Sequence, residues 1–149
     1  MKIRIKKLND AAQMPKRGTV GAAGFDLFVT ETTFLFHDIP QKVPTGLSFE
    51  IPEGYVGVVY SRSSSAKDGI VITPLLVDSD YRGEVFVLAT YLGEIEPTNP
   101  RKFHGSIKLE AGERIAQIRI EKLIDTEYEW ADELTETDRG TGGYGSTGR

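Results

Sequence analysis

Residues 46–60 read Gly46-Leu47-Ser48-Phe49-Glu50-Ile51, then Pro52-Glu53-Gly54, then Tyr55-Val56-Gly57-Val58-Val59-Tyr60. Two short runs rich in aromatic and β-branched residues flank a Pro-Glu-Gly turn, which is the grammar of consecutive strands. The same grammar recurs along the chain at Lys2–Leu8, Phe25–Val29, Thr33–Phe36, Gly69–Ile72, Glu84–Tyr91, Ser106–Leu109, Arg114–Ile124 and Thr126–Trp130. No segment keeps an apolar i, i+3, i+4, i+7 pattern through three turns, so the expected class is all-β, a sandwich or barrel. A jelly roll accommodates this many short strands in two sheets and is the expected architecture.

The chain has 149 residues, 39% of them hydrophobic, which is enough for one domain with a real core. A net charge of −4 and that apolar content exclude a wholly disordered chain. No apolar run approaches the roughly 18 residues a membrane span needs, and the charged N-terminus has no signal-peptide core behind it, so a cytoplasmic protein is expected. The absence of cysteine removes disulfides, thiolate metal sites and a thiol nucleophile, and His37 and His104 are too few for a histidine cage. A metal must therefore arrive with a substrate or sit on carboxylates. The acidic balance and the lack of a basic stripe with interleaved aromatics argue against nucleic acid.

Composition changes near the C-terminus. Seven of the 22 acidic residues fall between Asp125 and Asp138, a stretch without Lys or Arg, and five of the last ten residues are glycine. The expected organisation is a β domain over residues 1–134 and a mobile arm over 135–149. The arm carries Arg139, Tyr144, Ser146, Thr147 and Arg149, ligand-capable groups on a segment that orders when an anion arrives.

Gly140-Thr141-Gly142-Gly143-Tyr144-Gly145 matches G-x-G-x-x-G, but no βαβ unit surrounds it, which rejects a dinucleotide fold. A phosphate wrap remains, with bare N–H groups such as that of Gly143 near oxyanions and Arg139 as a bidentate charge. Ser61-Arg62-Ser63-Ser64-Ser65 puts an arginine and hydroxyls at a strand end, either a plain turn or a phosphate contact. Asp78-Ser79-Asp80-Tyr81-Arg82-Gly83-Glu84 is either a charged hairpin or the seat of a carboxylate that deprotonates water. Asp26, in an otherwise apolar strand, either satisfies a turn amide or holds a metal-bound water, and Gln117 among apolar neighbours is equally open.

The order of these pieces carries more than each alone. Gly-Ala-Ala-Gly-Phe-Asp-Leu at 21–27, Arg-Ser-Ser at 62–64, Val-Asp-Ser-Asp-Tyr-Arg-Gly-Glu at 77–84, Gly-Glu-Arg-Ile-Ala-Gln at 112–117 and Arg-Gly-Thr-Gly-Gly-Tyr-Gly-Ser-Thr-Gly at 139–148 closely resemble the five motifs of the trimeric dUTP pyrophosphatases. Val43-Pro44-Thr45-Gly46-Leu47 adds to the likeness. The resemblance implies a jelly-roll homotrimer with active sites at subunit interfaces, hydrolysing dUTP to dUMP and pyrophosphate with Mg²⁺. It implies that Asp78 activates the water, that Tyr81 lies under the deoxyribose, and that Arg62, Ser63, Ser64 and Gln117 bind phosphates. Asp26 would hold a water of the Mg²⁺ shell. Arg139, Gly143, Ser146 and Thr147 would grip the phosphate chain, with Tyr144 as aromatic lid over uracil. The second motif departs from the family's usual Pro-Arg-Ser-Gly at Ser61 and Ser64, and Thr73-Pro74-Leu75-Leu76 stands where the uracil-reading hairpin usually has glycine.

Two other functions fit parts of the pattern. A dCTP deaminase shares the fold, but its catalytic glutamate falls by counting on Leu88. A nucleotide-gated regulatory module would use residues 91–107 to dock a protein partner.

Overall fold

The computed structural model describes residues 1–94, 99–103 and 105–143. Twelve strands and one short helix occur among them: β1 Arg4–Lys7, β2 Phe25–Phe28, β3 Thr33–Phe36, β4 Gln41–Pro44, β5 Leu47–Glu50, β6 Tyr55–Ser61, α1 Ser63–Lys67, β7 Ile70–Thr73, β8 Leu75–Val77, β9 Phe86–Tyr91, β10 Lys102–Phe103, β11 Ser106–Leu109 and β12 Arg114–Lys122. All ladders between these strands are antiparallel, in the orders β1-β5, β10-β11-β3, β2-β12-β6-β8 and β4-β9-β7. The all-β, jelly-roll-like expectation holds.

Period-two burial builds the core. In β9, Val87, Ala89 and Tyr91 are buried while Phe86, Leu88 and Thr90 are only partly so, and β7 buries Ile70 and Ile72 but exposes Val71 and Thr73. These residues join Leu27, Val29, Leu35, Phe49, Ile51, Val59, Leu109 and Ile115 in one apolar cluster. The Tyr91 hydroxyl, at the edge of that cluster, donates to the Glu94 carbonyl at 2.8 Å.

The structure departs from the sequence reading at several points. Thr126–Trp130 is not a strand: β12 ends at Lys122, and residues 123–141 are exposed and form no strand. Among the described residues its alternating pattern has no neighbouring strand to pair with, and its acidic side chains favour water. Gln41–Pro44, with one fully buried residue, is a strand because β9 supplies a partner from Phe86 to Ala89. The serine-rich stretch after β6 is a five-residue helix rather than a turn, with Ser64 as its second residue.

Candidate active site

β12 lies between β2 and β6, so Gln117 faces Asp26 on one side and Tyr60 on the other. That central position brings three sequence-distant motifs together. Asp26 is 8% exposed, and its carboxylate accepts from Arg62 Nε at 2.7 Å through Oδ1 and pairs with Arg114 Nη1 at 3.3 Å through Oδ2. A register shift between Arg114 and Ala116 makes Ile115 the extra residue of a bulge. Without it, Ile115 rather than Arg114 would stand opposite Phe28, and the guanidinium would leave the face of Asp26.

Arg62, the N-cap of α1, is held three ways: by Asp26, by the Ser64 hydroxyl at 2.9 Å and by the Arg114 carbonyl at 3.1 Å. Ser64 thus aims the arginine through a hydroxyl that glycine lacks. Ser65 Oγ donates to the Ile115 carbonyl at 2.7 Å and fixes α1 on β12. Asp26, Arg62, Ser63, Ser64, Arg114 and Gln117 line one open cleft of about 330 Å³. Two guanidiniums against one carboxylate leave that cleft an excess of positive charge, suited to an anion.

The Gln117 amide donates to the Ser61 carbonyl at 2.8 Å, leaving its Oε1 beside Gly24. A Cβ at residue 24 would sit 2.5 Å from that oxygen, so a side chain here must displace the glutamine amide. Gly24→Ala is therefore expected to push Gln117 aside and lower kcat/KM about 10–100-fold, with thermal stability near that of the parent. Steady-state kinetics beside a melting curve checks this. Tyr60, on the far side of Gln117, donates to Glu121 at 2.9 Å. That bond first, then burial and the negative charge of Glu121, keep the phenol above its ordinary pKa and neutral.

A second cleft, of about 410 Å³, holds Asp78, Tyr81, Glu84 and Leu88. Asp78 follows β8 directly and is exposed. The loop behind it is secured by the Val-Pro-Thr-Gly-Leu stretch. Thr45 Oγ1 donates to the Val85 carbonyl, Gly46 N–H to Glu84 Oε1 at 2.7 Å, Ser48 Oγ to the Arg82 carbonyl at 2.8 Å, and Val85 N–H to the Leu47 carbonyl at 2.8 Å. Gly46 has φ +66, which opens the chain for that docking. The Tyr81 hydroxyl donates to the Glu84 carbonyl at 3.0 Å, and a Cβ on Gly83 would stand 2.4 Å from that hydroxyl oxygen. Gly83 therefore clears the ring's resting place. Glu84 is committed to Gly46, and Leu88 lines the same cleft.

Within one chain the two clefts are separate. β8 runs antiparallel to β6 with Gly57 opposite Val77, so Val77 lies five positions along β6 from Arg62 and Asp78 one residue beyond it, roughly 20 Å along the strand. Asp78 lines one cleft with Tyr81, and Arg62 lines the other with Asp26. Arg139 belongs to neither cleft. Its Nε donates to the Gly142 carbonyl at 2.9 Å beside an exposed turn over residues 138–141. Tyr144, Ser146 and Thr147 lie outside the described residues.

Among the described residues no group of three or more His, Asp or Glu is arranged to hold a metal ion. Each oxygen of Asp26 accepts one guanidinium and keeps a lone pair for water. That donor set fits an ion whose inner ligands are phosphate oxygens and water, and not one caged by protein.

Gly24 and Arg114 both lie inside quoted motifs, yet neither stands out as a site residue from the sequence. Only the crossing of the chain over Gln117 and the bulge before Ala116 give them their parts.

An antiparallel β domain with a cationic cleft at one end of a ladder and a Tyr-carboxylate cleft at the other matches known proteins closely. A family model described as dUTPase matches residues 10–148. The deoxyuridine 5'-triphosphate nucleotidohydrolase of Nautilia profundicola is 41% identical over 152 aligned positions covering 100% of both chains. That of Corynebacterium diphtheriae is 39% identical, covering 98% of this chain and 92% of its own. A Staphylococcus bacteriophage 80alpha dUTPase solved with dUpNHpp superposes with a TM-score of 0.88 at 30% identity over 99% of each chain. The work on that phage protein describes phage dUTPases as controlling transfer of virulence genes by a G protein-like mechanism. A dUTPase from phage phi11 of S. aureus, with a TM-score of 0.78 at 25% identity over 90% of this chain and 99% of its own, is described with a structural Mg(II) ion. The chain belongs to the dUTPase family.

Proposed function

We propose that the chain is a dUTP pyrophosphatase, releasing dUMP and pyrophosphate by in-line attack of water on the α-phosphorus. The observation that carries this reading is the convergence of Asp26, Arg62, Ser64 and Gln117 on one cationic cleft through the β2-β12-β6 ladder. In this reading Arg62, Ser63, Ser64 and Gln117 hold the phosphate chain, Tyr81 supports the deoxyribose, and Asp78 orients the water and takes its proton. The water oxygen bonds to the α-phosphorus as the bond to the bridging oxygen breaks, and pyrophosphate leaves. Preorganised donors carry most of such a reaction. Asp26 would hold Mg²⁺ through a water, and the ion would supply charge neutralisation at the phosphates. Offering dUTP, dCTP, dTTP and UTP with and without Mg²⁺ tests the reading: pyrophosphate from dUTP alone supports it, and ammonia from dCTP overturns it.

The working unit in this reading is a homotrimer with sites shared between copies. The 20 Å gap between Asp78 and Arg62 supports it, since one copy brings Asp78 and Tyr81 to the phosphate cleft of another. Ile124, Tyr128, Trp130 and Leu134 are 87–103% exposed in the single chain, a run of large apolar groups that a partner copy would cover. The domain of residues 1–134 then carries the clefts, and residues 135–149 close a neighbour's site. Trp130 is the sole tryptophan. Its emission is expected to be blue-shifted in the assembled protein, whereas the emission of a water-exposed indole would contradict this packing. Truncation after Asp138 is expected to abolish turnover while size-exclusion chromatography still finds the trimer.

The described regulatory role of the phage relative supports a second reading, in which residues 91–107 also face a protein partner.

A further inference from the structure

Between β9 and β11 the chain makes an excursion whose two limbs both land on the end of α1. On the outgoing limb, Leu92 N–H donates to the Gly69 carbonyl at 2.7 Å. A Cβ on Gly69, where φ is +80, would stand 2.4 Å from Gly93 Cα, so the two backbones lie flush. On the returning limb, Arg101 is fixed by its own backbone: its N–H donates to Asn99 Oδ1 at 3.0 Å and its carbonyl accepts from Lys108 N–H at 2.7 Å.

The Arg101 guanidinium then forks. Nη1 meets Asp68 Oδ2 at 3.3 Å and Nη2 meets Glu113 Oε1 at 2.5 Å, while Nη2 also reaches the Lys108 carbonyl at 3.5 Å. Asp68 is the C-cap of α1, and its N–H donates to the Ser64 carbonyl at 3.0 Å. Glu113 directly precedes Arg114, takes the Glu110 N–H on its other oxygen at 3.1 Å, and accepts Val29 N–H on its carbonyl at 2.8 Å. One arginine outside all five motifs thus links the segment that carries Arg62, Ser63 and Ser64 to the turn that carries Arg114. A planar guanidinium spans two carboxylates at once, which a lysine ammonium does not. Half-exposed ion pairs add little to global stability, so the consequence of this bridge is sought in the cleft and not in the melting temperature.

We propose that Arg101 is a positioning residue for the triphosphate: by clamping Asp68 to Glu113 it sets the spacing of α1 and the 110–114 turn. Arg101 thereby tunes affinity for the β- and γ-phosphates. This rests on the reading of the Asp26–Arg62–Gln117 cleft as the phosphate half-site. By linkage, anything that draws Arg101 off its two carboxylates weakens triphosphate binding by the same factor that triphosphate opposes the withdrawal.

The test uses full-length protein and calorimetric binding of two probes, dUpNHpp with Mg²⁺ and dUMP. Arg101→Ala and the near-isosteric Asp68→Asn are each expected to weaken dUpNHpp about tenfold, as loss of a charged hydrogen bond does, and to leave dUMP binding unchanged. The double variant is expected to lose no more than Arg101→Ala alone, and Arg101→Lys is expected not to restore affinity. Wild-type affinity for dUpNHpp in Arg101→Ala overturns the proposal, as does an equal loss for both probes, an additive double variant, or full rescue by lysine. If Arg101→Ala does not fold, Asp68→Asn decides by the same two probes. Arg62→Ala separates the two claims: wild-type binding of dUpNHpp to it would remove the phosphate half-site itself, whatever Arg101 does.

Discussion

Asp78→Asn is expected to bind dUTP as tightly as the parent and to turn it over about 10²–10⁴-fold more slowly, the range for loss of a positioned general base. Asparagine keeps the shape and one oxygen acceptor of aspartate, so it still orients a water, but it takes no proton at neutral pH. Asp78 is exposed and sits just past the last residue of β8, where no core packing depends on it. The docking of the loop runs instead through Glu84, Val85 and Arg82. The fold and the proposed deoxyribose contact of Tyr81 should both survive. Pyrophosphate release measured beside dUpNHpp binding checks this, and a kcat within a few-fold of the parent would remove Asp78 from the chemistry.

Arg62→Ala is expected to act on both activity and stability. Removing one preorganised cation from a developing polyanion costs about 2–4 kcal/mol of transition-state stabilisation. The same change strips Asp26, with a side chain 12% exposed, of its 2.7 Å partner and leaves it the longer contact to Arg114. A buried charged acceptor losing one of two donors is expected to cost about 1–3 kcal/mol of folding stability. Arg62→Lys separates the contributions: it restores a positive charge near Asp26 but not the fork that also reaches Ser64 and the Arg114 carbonyl. Stability should recover more than kcat/KM, as chemical denaturation and steady-state kinetics can measure. Equal recovery of both would mean that charge alone, without geometry, accounts for Arg62.

The strands legible from sequence are those with a strong local signature. Tyr55–Tyr60 and Thr33–Phe36 stand where their composition puts them, because short runs of β-branched and aromatic residues bounded by turn residues favour a strand. Gln41–Pro44 shows no such signature; what makes it a strand is β9 alongside, a non-local fact. Thr126–Trp130 errs in the opposite direction, carrying strand-like composition in a segment that no strand among the described residues adjoins. The motifs likewise name Asp26, Arg62 and Gln117 but not their meeting, which depends on β12 running between β2 and β6. Arg114 owes its place to one inserted residue in that strand, and Gly24 to a crossing over Gln117. The long separation of Asp78 from Arg62 is equally invisible until the β6-β8 register is known, although it follows from the register alone.

That separation makes the shared site directly testable. Asp78→Asn and Arg62→Ala, each inactive alone, can be mixed, dissociated and reassembled. If a site takes Asp78 from one copy and Arg62 from another, random trimers from equal amounts contain about a quarter of their sites intact at both positions, and dUTP hydrolysis should return to roughly that fraction of the parent rate. Continued inactivity in reassembled, demonstrably mixed trimers would mean that one chain supplies both residues, contrary to the geometry described above.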